Sequence, residues 1–155
     1  MRLTEPIREE HRQLLPRLES LREAADGVGT VPPAVSETKV REAVGFLQRD
    51  LIPYARVEGS VLVPVMGRLL GSIESTRTLT LDRMEVGRMT MQLEQAAGRK
   101  DAPMIRRLLY GLYHVIRLHL AKQEQVYLPI LDDRLTTAEA EELMDRMRAG
   151  TGPAA

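Results

Sequence analysis

The sequence contains no cysteine and no tryptophan, and phenylalanine occurs only once among its 155 residues. The lack of cysteine excludes disulfide bonds, thiolate catalysis, iron–sulfur clusters and zinc ribbons. Because four tyrosines are the only other aromatic residues, the core must consist mainly of Leu, Val, Ile and Met, as it does in many helical bundles. A chain of this length is long enough to bury a core of its own, so we expect one domain over residues 1–155.

No charge of either sign dominates, because 22 acidic residues balance 22 basic ones. We therefore expect no broad basic surface for nucleic acid or for an anionic membrane. No apolar run approaches the roughly 20 residues that a membrane-spanning helix needs. The N-terminal segment MRLTEPIREEH is charged and has no apolar centre, which argues against a signal peptide. These features predict a soluble cytoplasmic protein.

Apolar residues recur every three or four positions over four long segments, and no useful stretch alternates with the period of a β-strand. The four predicted helices cover about residues 4–25, 36–71, 80–97 and 101–129. A capping box, Thr136-x-x-Glu139, begins a short fifth helix over about 137–149, which either covers the bundle or mediates a homodimer. Long helices joined by short loops predict an all-α, antiparallel up-down-up-down four-helix bundle over about 4–130.

Local signals refine the ends of these helices. Thr4 is the expected N-cap of the first helix, and Asp101 with Pro103 is expected to begin the fourth. Pro53 and Pro64 lie inside the second segment, where we expect a kink and a second break, respectively.

The apolar stripe of each predicted helix is interrupted by polar residues at one level. Because neighbouring helices of such a bundle run in opposite directions, these interruptions fall at the same end and form one layer. Burying so many polar groups is costly unless they pair with each other or bind something, so this polar layer is the candidate site. Its six members are His11, Tyr54, Glu58, Arg83, His119 and Gln123. Past the layer, the fourth stripe continues to Val126.

The two halves of the chain repeat the same pattern. Three residues of the second helix, at a distance of 65 positions, correspond to residues of the fourth: Tyr54 to His119, Glu58 to Gln123 and Pro64 to Pro129. A shift of 72 positions converts His11 of the first helix into Arg83 of the third. The repeat predicts two helical hairpins related by a pseudo-twofold axis, each contributing three residues to the polar layer.

The segments EEHRQLL, YARVEGSVLVP and HLAKQEQVYLP resemble the hemerythrin-like (hemerythrin HHE cation-binding) family, and the resemblance covers essentially residues 4–130. The family pattern has a histidine on the first helix and His-x-x-x-Glu on the second, and then repeats both on the third and fourth helices. The resemblance implies a bundle that holds two non-haem irons between imidazoles and bridging carboxylates. Both ligand types suit iron, and a spacing of four residues directs two ligands from one helix face.

The chain departs from that pattern at several positions. Tyr54, Arg83 and Gln123 replace two histidines and a glutamate, and Gly59 stands where a second glutamate is frequent. Glu124, five residues after His119, is an alternative carboxylate. The resemblance thus implies a reduced set of candidate metal ligands, namely His11, Tyr54, Glu58, His119 and Glu124.

Three functional hypotheses follow. The first is an altered, mononuclear iron site that senses or handles O₂, peroxide, nitric oxide or iron, with Tyr54 as a ligand or redox neighbour. The second is a degenerate family member that binds no metal, in which an Arg83–Glu58 network closes the layer and the chain acts as a structural or interaction module. The third is an enzyme that uses His11 or His119 as a base on a small organic ligand. Enzymatic activity stays an open question at the level of sequence.

Each candidate residue also has a purely structural interpretation. Tyr54 is alternatively a core aromatic, and Glu58 faces solvent if the helix rotates after Pro53. Arg83 alternatively extends out of the layer toward water. The phase of the fourth helix places Glu124 on the solvent side, and His114 lies off the stripe and is expected at the surface.

Overall fold

The computed structural model describes residues 2–151, and every regular element in that part of the chain is helical. The α-helices are α1 (Glu5–Gly27), α2 (Pro33–Phe46), α3 (Ile52–Val57), α4 (Val63–Leu70), α5 (Arg77–Gly98), α6 (Ala102–Lys122), α7 (Leu128–Arg134) and α8 (Thr137–Thr151). Three π-helical turns, at Leu47–Leu51, Glu58–Leu62 and Gln123–Tyr127, connect α2 to α3, α3 to α4 and α6 to α7. A 3₁₀ turn at Ile73–Thr76 precedes α5. The all-α prediction is confirmed, and no helix within residues 2–151 is long and apolar enough to cross a membrane.

The long helices contact one another in a ring, with α1 against α2 and α6, and α5 against α2 and α6. Side-chain contacts between α1 and the α6–α7 run pair Asp26 with Tyr110 and Thr4 with Asp132. The beginning of α1 therefore lies beside the end of the α6–α7 run. This arrangement brings the predicted polar positions of the helices to one level.

The polar layer divides the core into two apolar clusters. Four long helical units form the bundle, namely α1, the α2–α4 run, α5 and the α6–α7 run. The first cluster contains a fully buried leucine from each of them, in order Leu18, Leu47, Leu93 and Leu109. The second lies on the other side of the layer and contains Leu62, Leu79, Leu128 and Leu131 together with residues of α8. Because each of these helical units contributes to both clusters, apolar packing on either side fixes the depth of the polar residues between them.

A break in the helical run was expected at Pro64, but the structure shows none there. Residues 33–70 are helical without a gap, so the predicted break at Pro64 is wrong. Pro53, Pro64 and Pro129 each occupy the second position of the α-helix that follows a π turn. At this point the bonding pattern changes from i→i+5 to i→i+4, and a residue without an N–H group is accommodated there.

The π turns also shift the phase of the helical faces by one residue. Within the π turn Gln123–Tyr127, Val126 is 50% exposed and Tyr127 is buried, so the expected position of Val126 in the core is wrong. The equivalent turn at Glu58–Leu62 likewise buries Leu62 completely, while Val61 is only partly buried.

Helix ends agree with the predictions except at a few positions. Thr4 precedes α1, but its side chain makes no capping bond and instead donates from Oγ1 to Asp132 at 3.0 Å. Asp101 caps α6 by accepting from the backbone N–H of Met104, as predicted. The last long helical run continues past Pro129 to Arg134, five residues beyond its predicted end.

The predicted capping box begins α8, with Thr136 and Glu139 each accepting a hydrogen bond from the backbone N–H of the other. Its buried side chains, Ala140, Leu143, Met144 and Met147, belong to the second apolar cluster. Gly150 lies so close to the bundle that a Cβ atom there would be 2.8 Å from Val57. The short helix therefore covers the bundle, whereas a role in dimer formation stays a prediction.

We expect Leu143→Ala to lower the free energy of unfolding by about 2–5 kcal/mol, because it leaves a cavity in the second cluster. Urea unfolding followed by circular dichroism measures this change. The matched control is Glu142→Ala on the exposed side of α8, which we expect to change stability by less than about 0.5 kcal/mol. Equal, small effects of both substitutions would show that α8 unfolds independently of the bundle.

Candidate metal centre in the polar layer

Glu58 lies at the centre of the polar layer and is 1% exposed. Its Oε1 atom is 3.4 Å from Nε2 of His11, and its Oε2 atom is 3.7 Å from Nε2 of His119. The amide nitrogen of Gln123 donates to Oε2 at 3.1 Å. Burial alone would raise the pKa of Glu58, but the hydrogen bond and charge of His11, together with the nearby His119, outweigh it and lower the pKa to about 2. Glu58 therefore points into the bundle as a carboxylate and does not face solvent.

His11 bridges two carboxylates, with Nδ1 2.8 Å from Oε1 of Glu124 and Nε2 facing Glu58. Ionised carboxylates only accept hydrogen bonds, so both ring nitrogens carry protons and the side chain is an imidazolium. Burial opposes this charge, but the two carboxylates outweigh burial and raise the pKa of His11. Glu124 was expected on the solvent side. Its side chain is 32% exposed, but its carboxylate turns inward to this histidine.

An arginine that sequence reasoning missed extends this half of the network. Arg8 is 5% exposed, and its guanidinium bonds Glu124 at 2.6 Å and Asp132 at 3.0 Å. Asp132 in turn accepts from the backbone N–H and the hydroxyl of Thr4. The network thus connects the buried layer to the beginning of α1.

His119 has a different environment. Its Nδ1 atom lies 3.1 Å from Oδ2 of Asp82, which also forms a 2.5 Å ion pair with Lys122. Its Nε2 atom lies 3.0 Å from the amide nitrogen of Gln123. An amide nitrogen only donates, so Nε2 is the acceptor and Nδ1–H donates to Asp82, which makes this imidazole neutral.

Arg83 does not form the expected ion pair with Glu58 within residues 2–151. Its Nη2 donates to Thr80 at 3.2 Å, and the guanidinium lies directly against Gly59. A Cβ atom at Gly59 would be 2.9 Å from Cζ of Arg83, so only glycine leaves room for this side chain. The oxygens of Glu58 already face the imidazoles and Gln123, which explains why the predicted pair is absent.

Tyr54 joins the layer through its ring, which meets His11 edge-on with 6.3 Å between ring centroids. In the described part of the chain its buried hydroxyl has no hydrogen-bond partner, and neither do Nη1 of Arg83, Nε of Arg8 and Oε1 of Gln123. Burial and the charge of Glu58 raise the pKa of Tyr54 far above its usual value. The side chain is therefore a neutral phenol, not a tyrosinate.

The internal repeat holds in three dimensions. His11 contacts Glu124, and the equivalent Arg83 lies against Gly59, which is the equivalent of Glu124 under the shift of 65 positions. Asp82, a partner of His119 that was not predicted, has Glu10 as its equivalent under the shift of 72. An acidic residue immediately before the layer position of both first and third helices was the signal that could have identified Asp82.

The layer does not fit two metal ions. In the part of the chain that the structure describes, no group of three or more His, Asp or Glu side chains is arranged to hold a metal ion. Both nitrogens of His11 carry protons, and the amide of Gln123 fills the space between His119 and Glu58. The charges of the network already balance, because it contains four carboxylates and four cations, namely Glu58, Asp82, Glu124 and Asp132 with Arg8, His11, Arg83 and Lys122. His114 is exposed, as predicted, and takes no part.

Comparison with known families gives a clear result. The family model described as the hemerythrin HHE cation binding domain matches residues 2–131, which contain the whole polar layer and exclude α8. No curated protein and no solved structure matches the chain.

The network is expected to contribute most to stability between about pH 4.5 and 6.5. The raised pKa of His11 means that its contribution is complete below the unfolded value of 6.5 and is lost as pH rises through the folded value. The lowered pKa of Glu58 means that its contribution is complete above 4.5 and is lost as pH falls toward about 2. Urea unfolding should therefore show a larger difference between wild type and His11→Gln at pH 6 than at pH 9.

The exposed His114 supplies the control, because His114→Gln should leave the pH dependence of stability unchanged. Titration of the imidazole resonances by NMR reports the pKa of His11 directly. A folded-state pKa below 6.5 for His11 would contradict its assignment as an imidazolium.

Proposed function

Because the chain belongs to the hemerythrin HHE cation-binding domain family, we propose that it keeps the bundle of that family but closes its ligand layer without metal. In this proposal the protein is a metal-independent structural and interaction module. The up-down-up-down order of its helices is part of the proposal and is supported by the pairing of opposite ends of α1 and α6–α7. The family as a whole binds cations through the positions that the layer retains or replaces.

One observation carries the proposal. The amide nitrogen of Gln123 lies 3.1 Å from Oε2 of Glu58 and 3.0 Å from Nε2 of His119. Those two atoms carry the lone pairs that a metal ion would need from the retained ligands. The glutamine therefore satisfies both acceptors with its two N–H groups, which is the role that a cation would otherwise have.

The Arg83 and Gly59 pair supports the same conclusion. Both residues depart from the family pattern, and the guanidinium occupies space that any side chain at position 59 would fill. A fixed positive charge beside Glu58 also opposes the entry of a metal cation, since like charges repel strongly where water is scarce. The two substitutions complement each other sterically and electrostatically.

A second candidate function keeps a single metal ion. Its specific support is that the Nε2 atoms of His11 and His119 face the two oxygens of Glu58, at 3.4 Å and 3.7 Å. Imidazole and carboxylate ligands suit iron, and such a site would serve in sensing small molecules or iron. It would require His11 to lose a proton and Gln123 to withdraw, and Tyr54 would become a ligand only after an ionisation that burial opposes.

We expect wild-type protein, purified after expression in iron-supplemented medium, to be colourless and to contain much less than one iron per chain. A variant that combines Tyr54→His, Gly59→Glu, Arg83→His and Gln123→Glu should bind iron, because it restores the ligand pattern of the family. Elemental analysis and visible spectroscopy measure both results. The matched control adds Glu58→Gln to the combined variant and should lose most of the gained iron.

Stoichiometric iron in wild type that disappears in Glu58→Gln would reject the metal-independent proposal in favour of the single-ion candidate. A combined variant that is folded but gains no iron would argue against the assignment of the layer positions themselves.

A further inference from the structure

A pocket of about 250 Å³ adjoins the polar layer between α3, α5 and α6. Its walls are largely aliphatic and include Leu51, Ile52, Val86, Ile116 and Leu120. Pockets for drug-sized ligands usually enclose ~300–1,000 Å³, so this one suits a compact molecule.

Two hydrogen-bond donors at this pocket have no partner within residues 2–151. Tyr54 and Arg83 both line it, and the hydroxyl of the tyrosine and Nη1 of the arginine are buried without a hydrogen-bond acceptor in the described chain. A buried donor without a partner destabilises the protein, so an acceptor from a bound molecule would relieve this cost at both groups.

The acidic groups at the same pocket are already satisfied. Asp82 is paired with Lys122 and His119, and Glu58 is held by Gln123 and His11. Arg83 by contrast makes one side-chain hydrogen bond to the residues that the structure describes, to the neutral hydroxyl of Thr80. The unsatisfied hydrogen-bond donors of the pocket are therefore a guanidinium and a phenol, which together favour an anionic acceptor.

We propose that this pocket binds a small monocarboxylic acid. The carboxylate accepts hydrogen bonds from Nη1 of Arg83 and from the hydroxyl of Tyr54, and the compact hydrocarbon body packs against the aliphatic walls. Carboxylates are the anions that the planar guanidinium recognises best, together with phosphates, and the apolar walls disfavour a phosphate. The inference rests on the proposed function, since the hydroxyl of Tyr54 is free only while no metal ion occupies the layer.

Gly59 determines where the guanidinium lies. A methyl group at this position would contact Cζ and Nε of Arg83 at 2.9 Å, and the flexible arginine side chain would move away to avoid it. Gly59→Ala therefore displaces the donor while leaving its charge in the chain.

Isothermal titration calorimetry and thermal unfolding with benzoate and hexanoate test the proposal on the full chain. We expect at least one of the two acids to bind and raise the unfolding temperature. For benzoate the neutral control is benzamide, which has the same shape and should bind about tenfold more weakly or not at all, since hydrogen bonds to a charged group are lost.

Arg83→Met and Tyr54→Phe should each weaken binding of the acid, by about tenfold or more for the arginine. Gly59→Ala should weaken it comparably without unfolding the protein. The matched control is Gly87→Ala, also a glycine inside a helix of the bundle, because a Cβ atom there meets nothing within 4 Å and binding should stay unchanged.

Two results would overturn the inference: neither acid binds metal-free wild type, or an acid binds Arg83→Met as tightly as wild type. Iron content measured on the same samples separates this failure from failure of the proposed function. Metal-free protein that binds no acid rejects the pocket alone, whereas protein with stoichiometric iron rejects the metal-independent proposal.

Discussion

The structure depends on one buried carboxylate. Glu58 is 1% exposed in the middle of the bundle, and an ionised group at this depth is tolerated only with close partners of opposite charge or with hydrogen-bond donors. His11 and Gln123 are those partners, and they come from α1 and the π turn after α6. Because these helices must all present a polar residue at one level, the core is split into two apolar clusters. The polar layer and the apolar clusters on either side of it together determine the register of the bundle.

The departures from the family pattern form a consistent set when they are considered together. Gln123 supplies two N–H donors where a glutamate would supply a second negative charge, so Glu58 needs one positive neighbour fewer. Arg83 brings a permanent positive charge, and Gly59 provides the space for it. The layer thus reaches electrical balance with its own side chains. Charge balance does not satisfy every hydrogen bond, because the hydroxyl of Tyr54, Nη1 of Arg83, Nε of Arg8 and Oε1 of Gln123 have no partner in the described chain.

The fold class and most of the layer could be predicted from sequence because helical periodicity and the repeat are properties of residue type and spacing. His11, Glu58 and Gln123 were identified in this way, and all three are buried. The π turns could not be predicted, since an extra residue per turn has no compositional signature, and this is why Tyr127 and not Val126 is buried. The hydrogen-bond and ion-pair partners of long side chains could not be predicted either. A flexible side chain such as Arg83 turns to whichever acceptor or space the folded neighbours leave.

The pseudo-twofold repeat is symmetric in its backbone but not in its chemistry. In one half, Glu124 directly follows Gln123, the residue at the family's carboxylate position, and is held by His11 and Arg8. On the other side, the equivalent position is Gly59, and the equivalent of His11 is an arginine with an unsatisfied nitrogen. Each half contains a buried arginine nitrogen without a partner in the described chain, Nε of Arg8 in the first and Nη1 of Arg83 in the second. The second half is the open one, because Arg83 and Tyr54 line the pocket between α3, α5 and α6 and Arg8 does not. Because a structural layer gains nothing from unsatisfied donors, the open half is where a bound ligand would act, and Arg83 and Tyr54 are the groups that distinguish it.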